Sequence, residues 1–234
     1  MFDRVRDVKP IELPVVTTEK NRFYETPEGK QYPSITTVIS NNKAKQAGLA
    51  KWRNRVGKDK AAMITKRAAS RGTRFHTIVE DYLNEELDRE KWWKDHPLPW
   101  VMFESARKSL DNINNIYLQE AVLYSDVLQV AGRVDCIAEY EGKLSIIDFK
   151  TSERPKDEKY CYDYYVQETA YACCFKELYG LDVEQLVTII ACENGDTQVK
   201  IVPPKKEYLV TLQNYLKEYR EKHGYNTDDS KTGG

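Results

Sequence analysis

The chain has 234 residues, of which 41% are hydrophobic and 11% aromatic, enough for one large domain or two small ones with a real core. Its 36 Lys and Arg residues balance its 37 Asp and Glu residues, so the net charge of −1 does not indicate a polyanionic partner. The five cysteines lack CxxC spacing, which gives no support for a zinc or iron–sulfur site and predicts reduced, buried thiols. The N-terminal segment has no signal-peptide pattern and no run reaches transmembrane length, so we expect a soluble, intracellular protein.

The first part of the chain predicts an arm and a hairpin over residues 1–31, reversing at Pro27-Glu28-Gly29. Ser34 or Thr36 is then placed to cap a short helix. From about Lys43 to Glu90 the composition is helical and, in its first half, basic. Local clustering of this kind is either a solvated helix face or a surface for a polyanion. The basic residues are Lys43, Lys45, Lys51, Arg53, Arg55, Lys58, Lys60, Lys66, Arg67, Arg71 and Arg74.

The remaining elements alternate between helices and strands, which predicts an α/β or α+β fold with one central sheet. No linker demands a second domain, so residues 32–223 are expected to form a single domain and residues 224–234 a disordered tail. In chain order we expect a loop over REKWWKDHPLPW, a helix Trp100–Ile116, strands Tyr117–Ser125, Leu128–Tyr140 and Lys143–Ser152, a helix Asp157–Tyr179, a hairpin turning at Asn194-Gly195, and a closing amphipathic helix.

The segment GRVDCIAEYEGKLSIIDFKTS predicts a hairpin that carries charge where packing favours apolar residues. If Glu141-Gly142 is a two-residue loop, Asp135 lies opposite Asp148 and Arg133 lies opposite Lys150. Directly opposed carboxylates repel each other unless a counter-charge lies between them or one takes up a proton. A divalent cation supplies that charge, and oxygen ligands suit Mg²⁺ or Mn²⁺.

One further residue and two i, i+4 pairs are candidates by spacing. A turn near Asp126 would place Glu120 opposite Arg133, on the face of the two aspartates. Gly72 and His76 stand at i and i+4 on a predicted helix, where a glycine lets a neighbouring backbone approach closely, although a lone helical histidine is more often structural. Gln167 and Tyr171 also stand at i and i+4, on a helix face whose other residues are expected to be buried in the core.

The set RGTRFH, GRVD, DFKT and QETAY, in this order, resembles the RecB-like branch of the PD-(D/E)xK nucleases. That branch has a GxxxH helix, a GxxD strand, a DxKT strand and a QxxxY helix. Within it, PSITTVIS and the hairpin segment are most similar to mitochondrial and phage exonucleases. The resemblance implies a restriction-endonuclease-like core, a central mixed β-sheet flanked by α-helices, and metal-dependent hydrolysis of a DNA phosphodiester.

Carried over by position, the resemblance assigns roles to the site residues. Asp135, Asp148 and the backbone carbonyl of Phe149 would be metal ligands, with His76 and Glu120. Lys150 would orient the attacking water and stabilise transition-state charge. Substrate contacts would come from Gln167, Tyr171, Arg133, Thr151, Arg74 and Arg71, and the basic helical segment would hold the DNA backbone.

The expected function is a Mg²⁺-dependent (or Mn²⁺-dependent) DNA exonuclease acting on single strands or free ends, in replication, repair or recombination. A flap- or structure-specific endonuclease with the same site and an inert DNA-binding accessory protein are the alternatives. No iron–sulfur cluster is expected, because the cysteines lack the clustered spacing that many relatives carry. The expected partner is DNA and not a membrane; a single-strand-binding, annealing or replication protein is left open. The expected location is the cytoplasm of a bacterial host for a phage protein, otherwise a nucleoid or an organelle matrix.

Overall fold

The computed structural model of the chain describes residues 2–18 and 21–224. In this part of the chain the strands are β1 (Val15–Thr17), β2 (Arg22–Glu25), β3 (Gln31–Pro33), β4 (Ile113–Ser125), β5 (Val130–Tyr140), β6 (Lys143–Ser152), β7 (Gln185–Cys192) and β8 (Thr197–Val202). The α-helices are α1 (Ile35–Ser40), α2 (Lys43–Val56), α3 (Lys58–Leu83), α4 (Arg89–Asp95), α5 (Pro97–Leu110), α6 (Tyr162–Tyr179) and α7 (Lys206–His223). A short 3₁₀ turn, Glu158–Tyr160, precedes α6.

The central sheet has five strands in the order β4-β5-β6-β7-β8. Neighbouring strands are antiparallel except β6 and β7, which run parallel. Parallel neighbours need a crossover connection, and α6 supplies it. The mixed sheet flanked by helices confirms the predicted fold class. A separate small sheet, β1-β2-β3, is formed by the N-terminal residues.

Helices cover both faces of the central sheet, which makes two apolar cores. One core joins α1, α6 and α7 to side chains such as Ile146 and Leu186. The other joins α3 and α5 to side chains such as Ile147 and Phe149. Strand β7 is buried along its whole length, as expected for a strand covered on both sides. Each fully buried aliphatic or aromatic side chain contributes about 1.5–3 kcal/mol to folding, so a charged group inside this sheet requires a specific cause.

The predicted basic helical segment divides into two helices. Gly57, with φ of 92°, ends α2 and begins α3, because glycine adopts positive φ without strain. Helix α2 has no buried residue, whereas α3 buries Phe75, Ile78 and other residues of its C-terminal half. Apart from Arg71, whose side chain is 10% exposed, the basic residues therefore lie on an exposed part of the molecule, and α3 continues into the core beside the sheet.

Two predictions of element boundaries are wrong. The segment expected as a loop before Trp100 contains α4, whose first turn is capped by the Asp88 side chain, and α5 begins at Pro97, a residue favoured in the first helical turn. The expected helix Trp100–Ile116 ends at Leu110, and Ile113 and Ile116 belong to β4. Both isoleucines are buried in the core of α3 and α5, so tertiary packing overrides helical composition here.

The other expected turns and caps are confirmed. Ser34 caps α1, and its side-chain oxygen accepts from the amide of Thr37. Gly180 ends α6 in the left-handed conformation, and Gly195, with φ of 89°, forms the β7–β8 turn. The expected disordered tail, apart from Gly224, lies outside the described residues. No helix in the described ranges combines the length and apolar composition needed to cross a membrane.

Candidate active site

The β5–β6 hairpin has the register that the Glu141-Gly142 turn predicts. Both turn residues have positive φ, 52° and 77°, as a two-residue type I′ loop requires. Tyr140 pairs with Lys143, and pairing continues to Cys136 and Ile147. There the described ladder ends, one position before Asp135 and Asp148.

Beyond that point a side chain replaces the missing ladder bond. The backbone amide of Phe149 donates to Oδ2 of Asp135 at 2.8 Å. The two strands therefore separate at the aspartates, and the Asp135 carboxylate is fixed by the partner strand's backbone. This is the local reason that the hairpin can hold two acids close together without pairing them directly.

The prediction that Glu120 lies opposite Arg133 is wrong. Arg133 pairs with Val122, and the pairs on either side of Glu120 place it level with Asp135. The connection between β4 and β5 is a four-residue loop, 126–129, so the register differs by two residues from the one expected. Glu120 has a φ of 47°, a left-handed conformation rare outside glycine. The observed register supports Glu120 as a site residue better than the expected one did, because it places Glu120 beside Asp135.

Helix α3 completes a three-residue cluster. Nδ1 of His76 lies 3.6 Å from Oδ1 of Asp135 and 3.9 Å from Oε1 of Glu120. One ligand atom from each of these residues lies within 4.8 Å of the others. Gln119 on β4 holds α3 against the strand that carries Glu120, because Nε2 of its side chain donates to the backbone carbonyl of Glu80 on α3 at 3.1 Å.

The electrostatics of His76 show how negative this cluster is. Burial alone would lower the pKa of the imidazole, but Asp135 and Glu120 raise it to about 9. Without a bound metal ion, His76 is therefore protonated and, with Lys150, supplies the counter-charge. Metal binding would displace this proton, because only the neutral imidazole is a ligand.

Asp148 and Lys150 form the second part of the site. Asp148 is 2% exposed; its Oδ2 pairs with the Lys150 ammonium, and its Oδ1 accepts from Nε2 of Gln167 at 3.1 Å. Burial raises the pKa of Asp148 to about 6, although Lys150 opposes this shift. Burial alone would lower the pKa of Lys150, but Asp148 and Asp135 raise it above its usual value. The lysine is therefore held as a cation by the two aspartates.

The glycine of the GxxD strand and the tyrosine of the QxxxY helix contact each other. The Tyr171 hydroxyl donates to the carbonyl of Arg133 at 2.7 Å. A Cβ on Gly132 would lie 3.0 Å from Cε1 and 3.2 Å from Oη of Tyr171, so close that the tyrosine ring would have to shift by a few tenths of an ångström. The absence of a side chain at Gly132 lets α6 dock on β5, which in turn brings Gln167 to Asp148.

The residues expected to contact substrate differ in exposure and in their protein contacts. Arg71 donates to Oγ1 of Thr151 at 3.2 Å and pairs with Glu193, so it ties α3 to the ends of β6 and β7. Arg133 and Arg74 are exposed. Arg71 and Thr151 are thus joined to each other, while the two exposed arginines are directed toward solvent.

Sequence reasoning missed Glu168, which is fully buried next to Gln167. Its Oε1 accepts from the hydroxyl of Thr188, the residue that pairs with Asp148 in the parallel ladder. Burial, reinforced by Asp148, raises the pKa of Glu168 well above its usual value. The sequence offered one signal for Glu168, an acidic side chain within an apolar stripe of a predicted helix. Its hydrogen-bond partner, Thr188, is identified only by the structure.

The donors of the cluster suit a divalent cation. His76, Glu120 and Asp135 offer one imidazole and two carboxylates, a set that fits Mn²⁺ and, with water completing the shell, Mg²⁺. Asp148 lies outside this three-residue cluster; its two oxygens contact Lys150 and Gln167 and keep further lone pairs. All five cysteines are free thiols, and four of them are buried.

Fold and site together define a nuclease core, with a charged site where two strands of a mixed sheet separate. The family model described as "PD-(D/E)XK nuclease superfamily" matches residues 48–227. The chain belongs to this superfamily, which confirms the family predicted from the motifs.

Individual relatives extend this comparison. Mitochondrial genome maintenance exonuclease 1 of Homo sapiens is 33% identical over 131 residues, which cover 53% of this chain and 38% of that protein. The protein of the same name from Xenopus tropicalis is 30% identical over 208 residues, 81% of this chain and 59% of that protein. The chain thus spans less than two thirds of either relative. A crystal structure from Eubacterium rectale aligns with a TM-score of 0.44 at 12% identity, covering 66% of this chain and 68% of that one.

Proposed function

We propose that the chain is a divalent-metal-dependent deoxyribonuclease that hydrolyses DNA phosphodiesters from free ends or on single strands. The observation that carries the proposal is the Lys150–Asp148 pair, held within electrostatic reach of His76, Glu120 and Asp135. Membership of the nuclease superfamily supports the reaction class, and the curated relatives named as exonucleases support attack from an end. A role in DNA replication, repair or recombination, inside a cell or organelle, follows from the same resemblance.

In this proposal His76, Glu120 and Asp135 hold Mg²⁺ or Mn²⁺, joined by Asp148 and the carbonyl of Phe149. When bound, the cation supplies Lewis acidity toward the phosphoryl oxygen and lowers the pKa of water. The amide bond from Phe149 fixes the orientation of Asp135 before any ligand arrives. Such fixed donors lose little freedom on binding, which favours both affinity and geometry.

Lys150 acts as a fixed cation and not as a general base. Its raised pKa keeps it protonated at neutral pH, so it can donate hydrogen bonds to the attacking water or to a phosphate oxygen. Asp148 orients the ammonium, and Gln167 orients Asp148. The QxxxY helix therefore acts on the reaction through the carboxylate that it holds, with Tyr171 fixing the helix to β5.

The exposed basic residues of α2 and the first half of α3 provide a track for the DNA backbone. The first half of α3 belongs to the helix that delivers His76 to the site, and α2 precedes it directly at Gly57, so the track leads toward the metal cluster. Arg74 and Arg133 are proposed phosphate contacts beside it. Arg71 and Thr151, which bind each other, are proposed to shape the pocket and to contact phosphate only by rearranging.

The test is a cleavage assay on end-labelled linear DNA and on circular single-stranded DNA, each with Mg²⁺, Mn²⁺ or EDTA. We expect degradation of the linear substrate with metal, none with EDTA, and intact circles. Cleavage of circles would replace the exonuclease with an endonuclease. Inactivity on all substrates with both metals, while DNA still binds, would leave a DNA-binding accessory protein.

A further inference from the structure

A large cleft opens at the end of β6, next to the proposed catalytic lysine. Its volume is about 1160 Å³. One wall is formed by α2 and the other by the segment from Ser152 to the first turn of α6. We call it the tyrosine cleft, because its lining includes Tyr160, Tyr162, Tyr164 and Tyr215. The cleft exceeds the roughly 300–1,000 Å³ of typical small-ligand pockets, so it has room for a longer ligand.

The tyrosine cleft is continuous with the site through Tyr164. The ammonium of Lys150 lies 5.3 Å from the centre of the Tyr164 ring. The ammonium of Lys156 lies 4.9 Å from the same ring and 2.5 Å from its hydroxyl. A single aromatic ring therefore connects the proposed catalytic lysine with a second lysine in the cleft. The two ammonium groups are therefore no more than about 10 Å apart, so a DNA strand with one phosphate at Lys150 can place a later phosphate near Lys156.

The cleft wall is held rigidly before a ligand binds. The amide of Lys156 donates to Oε1 of Gln198 at 2.7 Å, and Nε2 of Gln198 donates back to the Lys156 carbonyl at 3.2 Å. Glu158, in the 3₁₀ turn, pairs with Lys200 at 3.0 Å. Strand β8 thus fixes the segment that carries the basic and aromatic side chains. A rigid wall loses little entropy when a ligand is ordered against it.

Charges and rings in the cleft are arranged as for a nucleic-acid strand. Asp163 is neutralised by Lys45, at 2.8 Å, and accepts from the Tyr215 hydroxyl at 3.0 Å. Lys156 contacts neutral groups of Tyr164, so its charge stays available to an anion. Tyr160 is 62% exposed, with the Lys159 ammonium 4.9 Å from its ring centre and Oδ2 of Asp157 3.5 Å from that ammonium. An exposed ring beside a cation is the kind of platform on which single-strand-binding proteins stack unpaired bases.

We propose that the tyrosine cleft binds the single strand that continues beyond the scissile phosphate, with an unpaired base on Tyr160 and a phosphate on Lys156. This inference rests on the proposed nuclease function. It adds a reason for strand selectivity, because the bases of a duplex are already stacked and cannot present a free face to Tyr160.

The test compares two fluorescent oligonucleotides of equal length, an oligo(dT) and an abasic strand, by anisotropy in EDTA. Stacking on one aromatic ring is worth about 1–3 kcal/mol, so Tyr160→Ala should weaken oligo(dT) binding about 5- to 150-fold. Binding of the abasic strand should not change, and Tyr160→Phe should behave as wild type. Trp93→Ala removes a ring that is also exposed, at 56%, but belongs to α4, and serves as the matched control.

Lys156→Gln should weaken both strands equally and reduce the salt dependence of binding by about 0.7 in slope per lost phosphate contact. Unchanged oligo(dT) affinity in Tyr160→Ala, or an equal loss on both strands, would overturn the stacking role. If wild type cleaves DNA and Tyr160→Ala binds and cleaves normally, the cleft inference fails and the nuclease proposal stands. If wild type shows the base-dependent binding but cleaves nothing with either metal, the nuclease proposal fails and the cleft remains a strand-binding site.

Discussion

The two ends of the β5–β6 hairpin are built from different interactions. At the closed end, from Cys136 to the turn, the strands pair continuously, and side chains such as Ala138 and Ile146 are fully buried. At the open end the strands separate, and Asp135 binds the backbone amide of Phe149 in place of a ladder bond. The closed end therefore determines stability and register, and the open end gives up pairing to hold charged groups. Substitutions at the two ends should separate stability from cleavage.

The largest effect is expected from charged groups of the open end. Lys150→Ala removes the fixed cation that we propose faces the reacting phosphate, and Asp148→Asn removes the carboxylate that holds it. Loss of one such electrostatic group typically lowers the rate by about 10²–10³-fold or more. We expect each variant to lose cleavage, measured as the single-turnover rate on end-labelled DNA, while anisotropy shows DNA binding largely intact.

The control for this prediction is Lys143→Ala, which removes an exposed lysine at the closed end of the same hairpin. It should retain wild-type rate and affinity. Parallel loss of binding and cleavage in Lys150→Ala would instead identify Lys150 as a phosphate anchor without a role in the chemical step.

The next largest effect is expected on stability, from the closed end. Ile146 is fully buried, with 0% of its surface accessible, and packs in the core formed with α6 and α7. Ile146→Ala should lower the free energy of unfolding by about 2–5 kcal/mol, measured by urea denaturation. Because the site residues are untouched, single-turnover cleavage well below the unfolding midpoint should remain near wild type. A rate loss as large as that of Lys150→Ala would mean that the two ends are not separable.

The same contrast between the two ends explains which parts of the site could be predicted from the sequence. The closed end was predictable because a two-residue turn with alternating side chains permits one register. The position of Glu120 was not, because the 126–129 loop is longer than a tight turn and Glu120 adopts a positive φ that composition does not indicate. Motif spacing identified Asp135, Asp148, Lys150 and His76 as candidates, but only the fold shows that Asp148 pairs with Lys150 while Asp135 joins His76.

An effect of intermediate size is expected at the two motif glycines, Gly132 and Gly72. Each begins a sequence motif of the site, but the two are packed differently. A Cβ on Gly132 would meet Tyr171 at 3.0 Å, whereas a Cβ on Gly72 would lie 3.7 Å from Oγ1 of Thr151, an ordinary contact. Gly132→Ala should cost about 1–3 kcal/mol through overpacking and lower the cleavage rate by moving α6. Gly72→Ala should be neutral or stabilise by up to about 1 kcal/mol, because alanine favours helix.

Thermal or urea unfolding of both variants measures these energies, and cleavage assays measure the coupling to the site. A large loss of stability in Gly72→Ala would show that α3 and β6 approach more closely than the contact distance indicates. Full activity and stability in Gly132→Ala would show that Tyr171 can move without disturbing Gln167 and Asp148.

The smallest effect concerns Glu168, the buried acid behind the open end. Burial raises the folded-state pKa of Glu168 well above its usual value, so the folded protein retains a proton that the unfolded chain releases above its ordinary pKa. The stabilising effect of this proton is complete below the unfolded pKa and is lost as the pH rises toward the folded pKa. Glutamine keeps the shape and does not titrate. The stability of Glu168→Gln relative to wild type should therefore rise with pH, by about 1 kcal/mol between pH 5 and pH 6.

Urea denaturation of both proteins at pH 5, 6 and 7 measures this difference, in which the titration of groups remote from Glu168 cancels to first order. Glu184→Gln, at an exposed position just before β7, is the matched control for the substitution itself. A difference for Glu168→Gln that does not change with pH would mean that Glu168 is ionised in the folded protein. A second negative charge would then lie beside Asp148, and the open end would require a stronger counter-charge than Lys150 and His76 provide.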